Sequence, residues 1–263
     1  MPKIVEILAP SGTGKTTLYK DLQKKWSPGS SWVVYHDFRY KRKRKFPKDY
    51  ITAVWRKAKG VGESVFSSDI QYQEKAATLP QNERLFYSKY SEFCDVAMNL
   101  IFRRNVSGFG GDDKRFMNTF FMFETIEHLQ AVMNYPEDPR TCIMDEGLLS
   151  RLMHLNSPSF TDDDLTEYLE KMPLPYGVVY LKCDANVITD RIVERKERKT
   201  ATIHENLSRS EILNSTIKTQ QMMEKTLRII QGKGVQVFYA DGSLSKEHLG
   251  SQVYKAIKNK HFT

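Results

Sequence analysis

A lysine and two threonines near the amino terminus stand in a glycine-containing stretch whose residue types and spacing suit phosphate binding. The stretch, A-P-S-G-T-G-K-T-T, follows the apolar run K-I-V-E-I. Glycines let a backbone approach an anion closely, and the N–H groups that open a helix point toward it. A lysine and a hydroxyl at these positions suit the β- and γ-phosphates and Mg²⁺. We expect nucleotide phosphates to contact Ala9, Pro10, Ser11, Gly12, Thr13, Gly14, Lys15, Thr16 and Thr17.

The segments on either side of this stretch supply the structural context that such a loop needs. The pattern G-x-x-x-x-G-K-[ST] lies between a strand and a helix, and only its first position differs here, where Ala9 replaces glycine. Residues 3–9 predict a buried strand. Leu18, Leu22 and Trp26 recur every four residues and predict an amphipathic helix over 15–26. The loop is therefore expected between the first strand and the first helix.

Four further short apolar segments predict the rest of a sheet. They lie at residues 31–37, 141–147, 177–184 and 235–242. Near-continuous apolar strands joined through helices indicate a parallel sheet covered on both faces. Ligands of such sheets bind beyond the carboxyl ends of the strands. We expect an α/β fold with its site at that edge and a large helical insertion between the second and third strands.

Length and composition favour one globular domain. The chain has 263 residues, of which 40% are hydrophobic and 27% charged, and its net charge of +8 suits anionic partners. We expect no membrane partner and a cytoplasmic protein, since neither a long apolar run nor a secretory signal is visible. The three cysteines lack metal-ligand spacing and are expected to be buried free thiols: Cys94, Cys142 and Cys183.

Four features in order along the chain resemble P-loop kinases of the nucleoside and nucleoside-monophosphate group, which includes thymidylate kinase-like proteins. The loop is the first. I-M-D-E, ending in Asp145 and Glu146, resembles a Walker B segment, and D-R-I-V-E-R-K-E-R-K at 190–199 resembles an arginine-bearing lid. The carboxyl end, V-Q-V-F-Y-A-D-G-S, resembles the final strand and loop of the group. The resemblance implies a three-layer P-loop NTPase fold with the strand order 2-3-1-4-5.

The same resemblance implies the activity and the cofactors. It implies an enzyme that transfers the γ-phosphoryl group of Mg-ATP to a small acceptor, a nucleoside or nucleoside monophosphate. Thr16 and Asp145 would hold Mg²⁺, and Lys15 would stabilise the transferring charge together with lid arginines. The remaining contacts with ATP are assigned to Arg191, Arg195, Asp241, Gly242 and Ser243.

Residues for the acceptor follow from the same comparison. Asp37, after the second predicted strand, is a candidate general base or substrate ligand, and it suits a turn or helix cap equally well. Glu146 is the other candidate for orienting the acceptor. Arg151 matches the placement of a substrate-binding arginine, although the D-R-[YFS] or E-R-S pattern is absent, and Arg198 is the third arginine of the lid stripe.

The chain is expected to be a single domain over 1–263, with an acceptor-binding insertion at 40–138 and a lid at 186–208. Helices are predicted at 82–105 and 113–134, and a helix start that is not a metal cluster at 161–164. Aromatic side chains at helical spacing in the insertion are typical of core or of an acceptor pocket: Phe116, Phe120, Phe121, Phe123, Tyr87 and Tyr90. The basic run at 39–48 predicts a solvated loop or a site for a polyanionic acceptor.

Other functions stay open on the sequence. A kinase of a sugar or alcohol would use the same loop, and a kinase of a nucleic-acid end would use the basic run as well. A regulatory ATPase would need no acceptor, and Glu146 is placed like the water-activating glutamate of many ATPases. A homodimer, the acceptor's identity and the choice between ATP and GTP are likewise left open.

Overall fold

The computed structural model describes residues 3–27, 29–43, 71–74, 82–103, 111–155, 160–197 and 207–258. Its strands are β1 (Ile4–Leu8), β2 (Trp32–Val34), β3 (Tyr40–Lys43), β4 (Gln71–Glu74), β5 (Thr141–Met144), β6 (Gly177–Lys182) and β7 (Gln236–Asp241). Its helices are α1 (Lys15–Lys25), α2 (Tyr35–Arg39), α3 (Asn82–Lys89), α4 (Ser91–Arg103), α5 (Gly111–Met133), α6 (Leu148–Leu155), α7 (Asp162–Lys171), α8 (Ala185–Glu197), α9 (Arg209–Gly232) and α10 (Lys246–Lys258).

Five strands form one parallel sheet in the order β2-β5-β1-β6-β7. Numbered along the chain within this sheet, the order is 2-3-1-4-5, which confirms the predicted topology of a P-loop NTPase fold. β3 and β4 form a separate antiparallel pair, and with α3, α4 and α5 they lie between the second and third strands of the sheet. The large insertion is therefore confirmed, and it is mainly helical in the described residues.

Alternate residues of β1 divide the core into two layers, because successive side chains of a strand point to opposite faces. Val5 and Ile7 pack against α1 and α10 in one cluster. Ile4 and Leu8 pack against the insertion helices, α6, α7 and α9 in the other. Each fully buried aliphatic side chain contributes about 1.5–3 kcal/mol relative to its exposed state. Glu6 alternates with Ile4 and Leu8, so its side chain points to the same face of the sheet as theirs, although it is a carboxylate.

Two predicted strands end earlier than expected. The segment 31–37 is a strand only over Trp32–Val34, because β2 has β5 as its one partner in the sheet and their pairing ends at Val34 and Ile143. The chain then turns into α2, so Asp37 lies in a helix and not after a strand. β5 likewise ends at Met144, which leaves 145–147 as the turn into α6.

The insertion also differs from expectation. The helix predicted over 82–105 is two helices, α3 and α4, that meet at Tyr90 with hydrogen bonds continuing across the junction. Phe116, Phe120 and Phe123 are 70%, 53% and 46% exposed, so they are not core. The buried stripe of α5 instead follows Met122, Ile126, Leu129 and Val132.

Part of the basic run is a strand. Residues 40–43 pair with 71–74, so the solvated loop predicted at 39–48 is wrong for those residues, and 44–48 lie outside the described residues. All three cysteines are buried and free, as predicted. In the described parts of the chain, no helix combines the length and the apolar character needed to cross a membrane.

The predicted helix start at 161–164 is confirmed as a capping box. Thr161 Oγ1 accepts from the Asp164 N–H at 3.2 Å, and Asp164 Oδ2 accepts from the Thr161 N–H at 2.8 Å. Arg103 also contacts the Asp164 carboxylate at 2.5 Å. The guanidinium of Arg103, helped by the Thr161 hydrogen bonds, lowers the pKa of Asp164 although burial opposes it. α4 and α7 are therefore tied together through one carboxylate.

Asp164→Ala should lower the free energy of unfolding by about 1–2 kcal/mol at pH 7, since it removes a cap and leaves Arg103 without this partner. A depressed carboxyl pKa contributes stability above the unfolded-state value, and that contribution is lost as pH falls through the folded-state value. The gap between wild type and variant should thus shrink below pH 3.8, the ordinary value. Urea unfolding at several pH values measures it. Asp163→Ala, in the same helical turn, is the control, and an equal loss in both variants would contradict the assignment.

Candidate functional site

The loop between β1 and α1 has the shape that its sequence predicts. Gly12 and Gly14 have φ values of 94° and 96°, in the left-handed region that favours glycine. Thr13 closes the turn, with its N–H and hydroxyl both donating to the Pro10 carbonyl at 3.3 and 2.8 Å. Gly14 is the N-cap of α1, and no described side chain caps that end. The first N–H groups of α1 therefore face the space above the loop and suit an anion.

A cavity of about 630 Å³ lies above this loop. Its floor is the loop itself, and its walls come from the turn after β5, α6, α8 and α9. The volume is within the usual range for small-molecule sites. Its lining includes Ala9, Pro10, Ser11, Gly12, Gly14, Lys15, Thr16, Thr17, Glu146, Ser150, Met153, His154, Ile192, Arg195, Ser215, Thr216, Thr219 and Met223.

A chain of polar contacts connects the loop to the insertion. Lys15 Nζ donates to the Asp145 carbonyl at 2.8 Å and lies 3.6 Å from Glu146 Oε1. The other oxygen of Glu146 accepts from Arg151 Nη2 at 2.6 Å. Arg151, only 7% exposed, also donates through Nε to Thr125 Oγ1 on α5 at 2.7 Å. The loop lysine, both acidic residues and the predicted substrate arginine thus form one connected group.

The two neighbouring carboxylates have different electrostatic surroundings. Burial raises the pKa of Asp145, and the charge of Lys15 only partly opposes this. Burial acts on Glu146 in the same direction, but Lys15 and Arg151 outweigh it, so the pKa of Glu146 is lowered. Glu146 is therefore ionised at neutral pH, whereas Asp145 is a carboxylate that gains from a further cation. Environments that move the pKa values of two neighbouring carboxyl groups in opposite directions are typical of sites where the two groups have different roles.

Asp37 lies beside this group but away from the cavity lining. It is 1% exposed within α2, and the neighbouring His36 N–H donates to Tyr19 Oη at 3.2 Å. Burial raises the pKa of Tyr19 well above its ordinary value, and the charges of Asp145 and Asp37 both add to this rise. Tyr19 is therefore near both carboxylates.

The predicted lid arginines separate in the structure. Arg195 lines the cavity. Arg191 instead donates through Nη1 to the Gly242 carbonyl at 3.0 Å, which ties α8 to the loop after β7. Arg198 lies outside the described residues. α8 presses closely on the phosphate loop, since a Cβ added to Gly12 would lie 3.0 Å from Ile192 and 3.2 Å from Ile188.

The loop after β7 is held by its own hydrogen bonds. Asp241 Oδ1 accepts from the N–H of Ser243 at 2.9 Å and from its hydroxyl at 2.6 Å. The Gly242 N–H donates to the Lys182 carbonyl on β6 at 2.7 Å. None of these three predicted base contacts lines the cavity. Gly242 instead contacts α8, because its carbonyl accepts from Arg191.

The oxygen donors beside Lys15 fit Mg²⁺. This ion takes oxygen ligands, and several of its coordination positions are usually filled by water and phosphate. Thr16 offers a hydroxyl on the cavity lining. Asp145 is half-buried and does not line the cavity, but its carboxylate, whose pKa burial raises, would be stabilised by a cation. Among the described residues, no group of three or more His, Cys, Asp or Glu side chains is arranged to hold a metal.

Several residues of the site were not predicted from the sequence. α9 contributes hydroxyls that repeat at helical spacing in S-T-I-K-T, a pattern common on any exposed helix. The α6 wall contributes Met153 and His154, which resemble ordinary amphipathic helix residues. Glu6 has a stronger sequence signal, because it is an acidic residue inside an apolar strand. It is 2% exposed.

Comparison with known proteins gives structural similarity alone. No family model and no curated protein match the chain. Among solved structures, deoxyadenosine kinase from M. mycoides with products dCMP and a flexible dCDP has a TM-score of 0.48 and 12% identity, covering 97% of this chain and 99% of that one. The same enzyme with bound dATP has a TM-score of 0.48 and 12% identity, covering 97% of this chain and 98% of that one. These values assign no activity to this chain.

Proposed function

We propose that this chain is an ATP-dependent kinase that transfers the γ-phosphoryl group of Mg-ATP to a small acceptor, a nucleoside or a nucleoside monophosphate. The observation that carries the proposal is the position of Lys15. It stands at the start of α1 on a loop shaped for phosphate and is held by the Asp145 carbonyl beside Glu146. Phosphoryl transfer depends mainly on positioning and on cations at the transferring oxygens, and this arrangement supplies both.

Each residue around Lys15 has a distinct role in this proposal. The backbone of the loop binds the phosphates, and Lys15 and Arg195 place positive charge on the transferring group. Thr16 and Asp145 would hold Mg²⁺, which when bound neutralises phosphate charge. Arg151 keeps Glu146 ionised and fixed in direction, because its guanidinium is tied to Thr125 as well. Arg151 is thus proposed to act on the acceptor through Glu146.

The acceptor is proposed to occupy the part of the cavity that the loop does not use. That part lies between α6 and α9, where His154, Ser215 and Thr219 offer hydrogen-bonding groups and Met153 and Met223 offer apolar surface. A mixed lining of this kind suits a sugar or nucleoside with polar edges and apolar faces. Glu146 borders the same space and lies next to Lys15, so it is placed to orient an acceptor hydroxyl or phosphate toward the γ-phosphate.

One observation favours a second candidate, a regulatory ATPase. The ionised Glu146 borders the cavity close to the phosphate loop, and a carboxylate there would also suit the activation of water. The two functions differ in one measurable respect, since only a kinase responds to an acceptor.

Thermal unfolding against a ligand panel, followed by a transfer assay with ATP labelled in the γ-phosphate, tests the proposal. Mg-ATP at 100 times its Kd should stabilise the native state by about 2.7 kcal/mol and raise Tm. We expect a further Tm rise with one acceptor class and acceptor-dependent transfer of label. A nucleotide shift with label released only as inorganic phosphate would favour the ATPase. No shift with any nucleotide would overturn both candidates.

A further inference from the structure

Glu6 is a carboxylate in the middle of the central strand, and it holds the turn that carries the acidic residues of the site. Oε1 accepts from the N–H groups of Gly147 and Ser150 at 3.1 and 2.7 Å, and Oε2 accepts from that of Leu149 at 3.2 Å. These are the N–H groups that open α6, which no earlier residue of the helix can satisfy. The cap of α6 is therefore supplied from a distant strand, 141 residues earlier in sequence at its Gly147 contact.

Gly147 is matched to this carboxylate. A Cβ at position 147 would lie 2.4 Å from Glu6 Oε2, which is closer than atoms can approach. The described glycines with positive φ are Gly12, Gly14 and Gly234, so the backbone at Gly147 would accept alanine. The absence of a side chain at 147 is thus required by Glu6 and not by the backbone conformation.

The residues on both sides of this anchor belong to the proposed site. Glu146 directly precedes Gly147, and Arg151 follows Ser150 one residue further into α6. Their ion pair closes over the anchored turn at 2.6 Å. A shift of the turn would therefore move Glu146 and Arg151 together, along with the Asp145 carbonyl that receives Lys15.

A buried carboxylate is an expensive cap. Burial raises the pKa of Glu6, and the Ser150 and Leu149 hydrogen bonds and the charge of Lys15 oppose the rise. A serine or aspartate next to α6 would cap it at lower cost, as Thr161 and Asp164 do for α7. β5 already pairs with β1 as far as Met144, which lies opposite Glu6. The Glu6 carboxylate extends this link past the end of β5 to the N–H groups of residues 147–150, which a local cap would not do.

We infer that Glu6 is a positioning residue of the proposed kinase: by fixing the turn at 145–147 to the strand that bears the phosphate loop, it sets Glu146 and Arg151 in register with Lys15. This inference rests on the proposed function for its kinetic consequence. Its structural part, the anchoring of the turn, is measurable without any turnover.

Glu6→Gln tests the anchor with little change of shape. The amide keeps one oxygen that can accept a hydrogen bond. Its NH₂ group, however, faces backbone N–H groups that also need an acceptor. We expect backbone amide exchange at Gly147, Leu149 and Ser150 to become at least about tenfold faster, and kcat per folded molecule to fall about 10- to 100-fold while the KM for ATP changes less than about threefold. Asp164→Asn is the control, because it weakens another buried helix cap that does not line the cavity and should leave kcat unchanged.

A second test approaches the contact from the opposite side and stays valid if Glu6→Gln fails to fold. Gly147→Ala should lower kcat about tenfold or more, because the new methyl displaces the carboxylate. In a Glu6→Asp background the shorter side chain leaves room for the methyl group. The same alanine substitution should then lower kcat by less than about threefold. Such non-additivity is expected of residues that contact each other and not of distant, independent residues.

Three results would overturn the inference: unchanged exchange at 147–150 in Glu6→Gln, wild-type kcat in Gly147→Ala, or equal costs of the alanine in the two backgrounds. Failure of the proposed function would give a different result. If the wild type transfers no phosphoryl group to any acceptor, the kinase proposal fails and the anchor is judged by amide exchange alone. Faster exchange at 147–150 then supports the anchoring of the turn, and unchanged exchange rejects it.

Discussion

Lys15→Ala should lower turnover by a factor of about 10² to 10³ while the fold persists, the scale seen when one preorganised group that binds developing charge is removed. The lysine donates to the backbone carbonyl of Asp145 at 2.8 Å and lies 3.6 Å from Glu146 Oε1. Its loss removes positive charge from the proposed phosphoryl path and releases the turn after β5 from the loop. Steady-state transfer assays, with circular dichroism to verify the fold, measure the effect.

Two variants sharpen this experiment. Lys20→Ala removes an exposed lysine from the same helix and should leave turnover unchanged. Lys15→Arg keeps the charge, but its planar fork does not fit a site built for a compact ammonium, so we expect it to recover only part of the rate. Wild-type turnover in pure Lys15→Ala would refute the assignment of the loop.

The parts of the fold that the sequence predicts well are those governed by local pattern. The loop motif and the capping box at Thr161 depend on residues close in sequence and form as expected. The apolar strands form where they were predicted, although two of them end early. The strand order followed from the family resemblance. By contrast, the length of β2 depends on its partner β5, which lies more than a hundred residues away.

The candidate site was predicted less completely, for the same reason. Lys15 and Glu146 could be named because each belongs to a recognisable local motif. The α9 wall and the Glu6 anchor join segments far apart in sequence, and no local period marks them. Arg191 and Arg195 lie on one predicted helical stripe, but only Arg195 lines the cavity. Arg191 donates to the Gly242 carbonyl instead, and this contact depends on the position of the loop after β7.

On geometry we favour Glu146 over Asp37 as the residue that would orient the proposed acceptor. Glu146 borders the cavity and lies 3.6 Å from Lys15. Asp37 is 1% exposed within α2, near Tyr19, and does not border the cavity. An orienting group must reach the acceptor directly or through one water, and of these two carboxylates Glu146 borders the cavity in which the acceptor is proposed to bind.

Glu146→Gln should therefore lower kcat by about 10² or more, and Asp37→Asn by less than about tenfold. Both changes keep the shape of the side chain, so each isolates the loss of charge. Because Lys15 and Arg151 hold the pKa of Glu146 below its ordinary 4.5, the wild-type rate should not fall through this group between pH 6 and 8, and should fall only on acidification below that value. A pH profile of kcat/KM measures this. A larger loss in Asp37→Asn than in Glu146→Gln would assign the role to Asp37, and would require α2 to open away from Tyr19 when the acceptor binds.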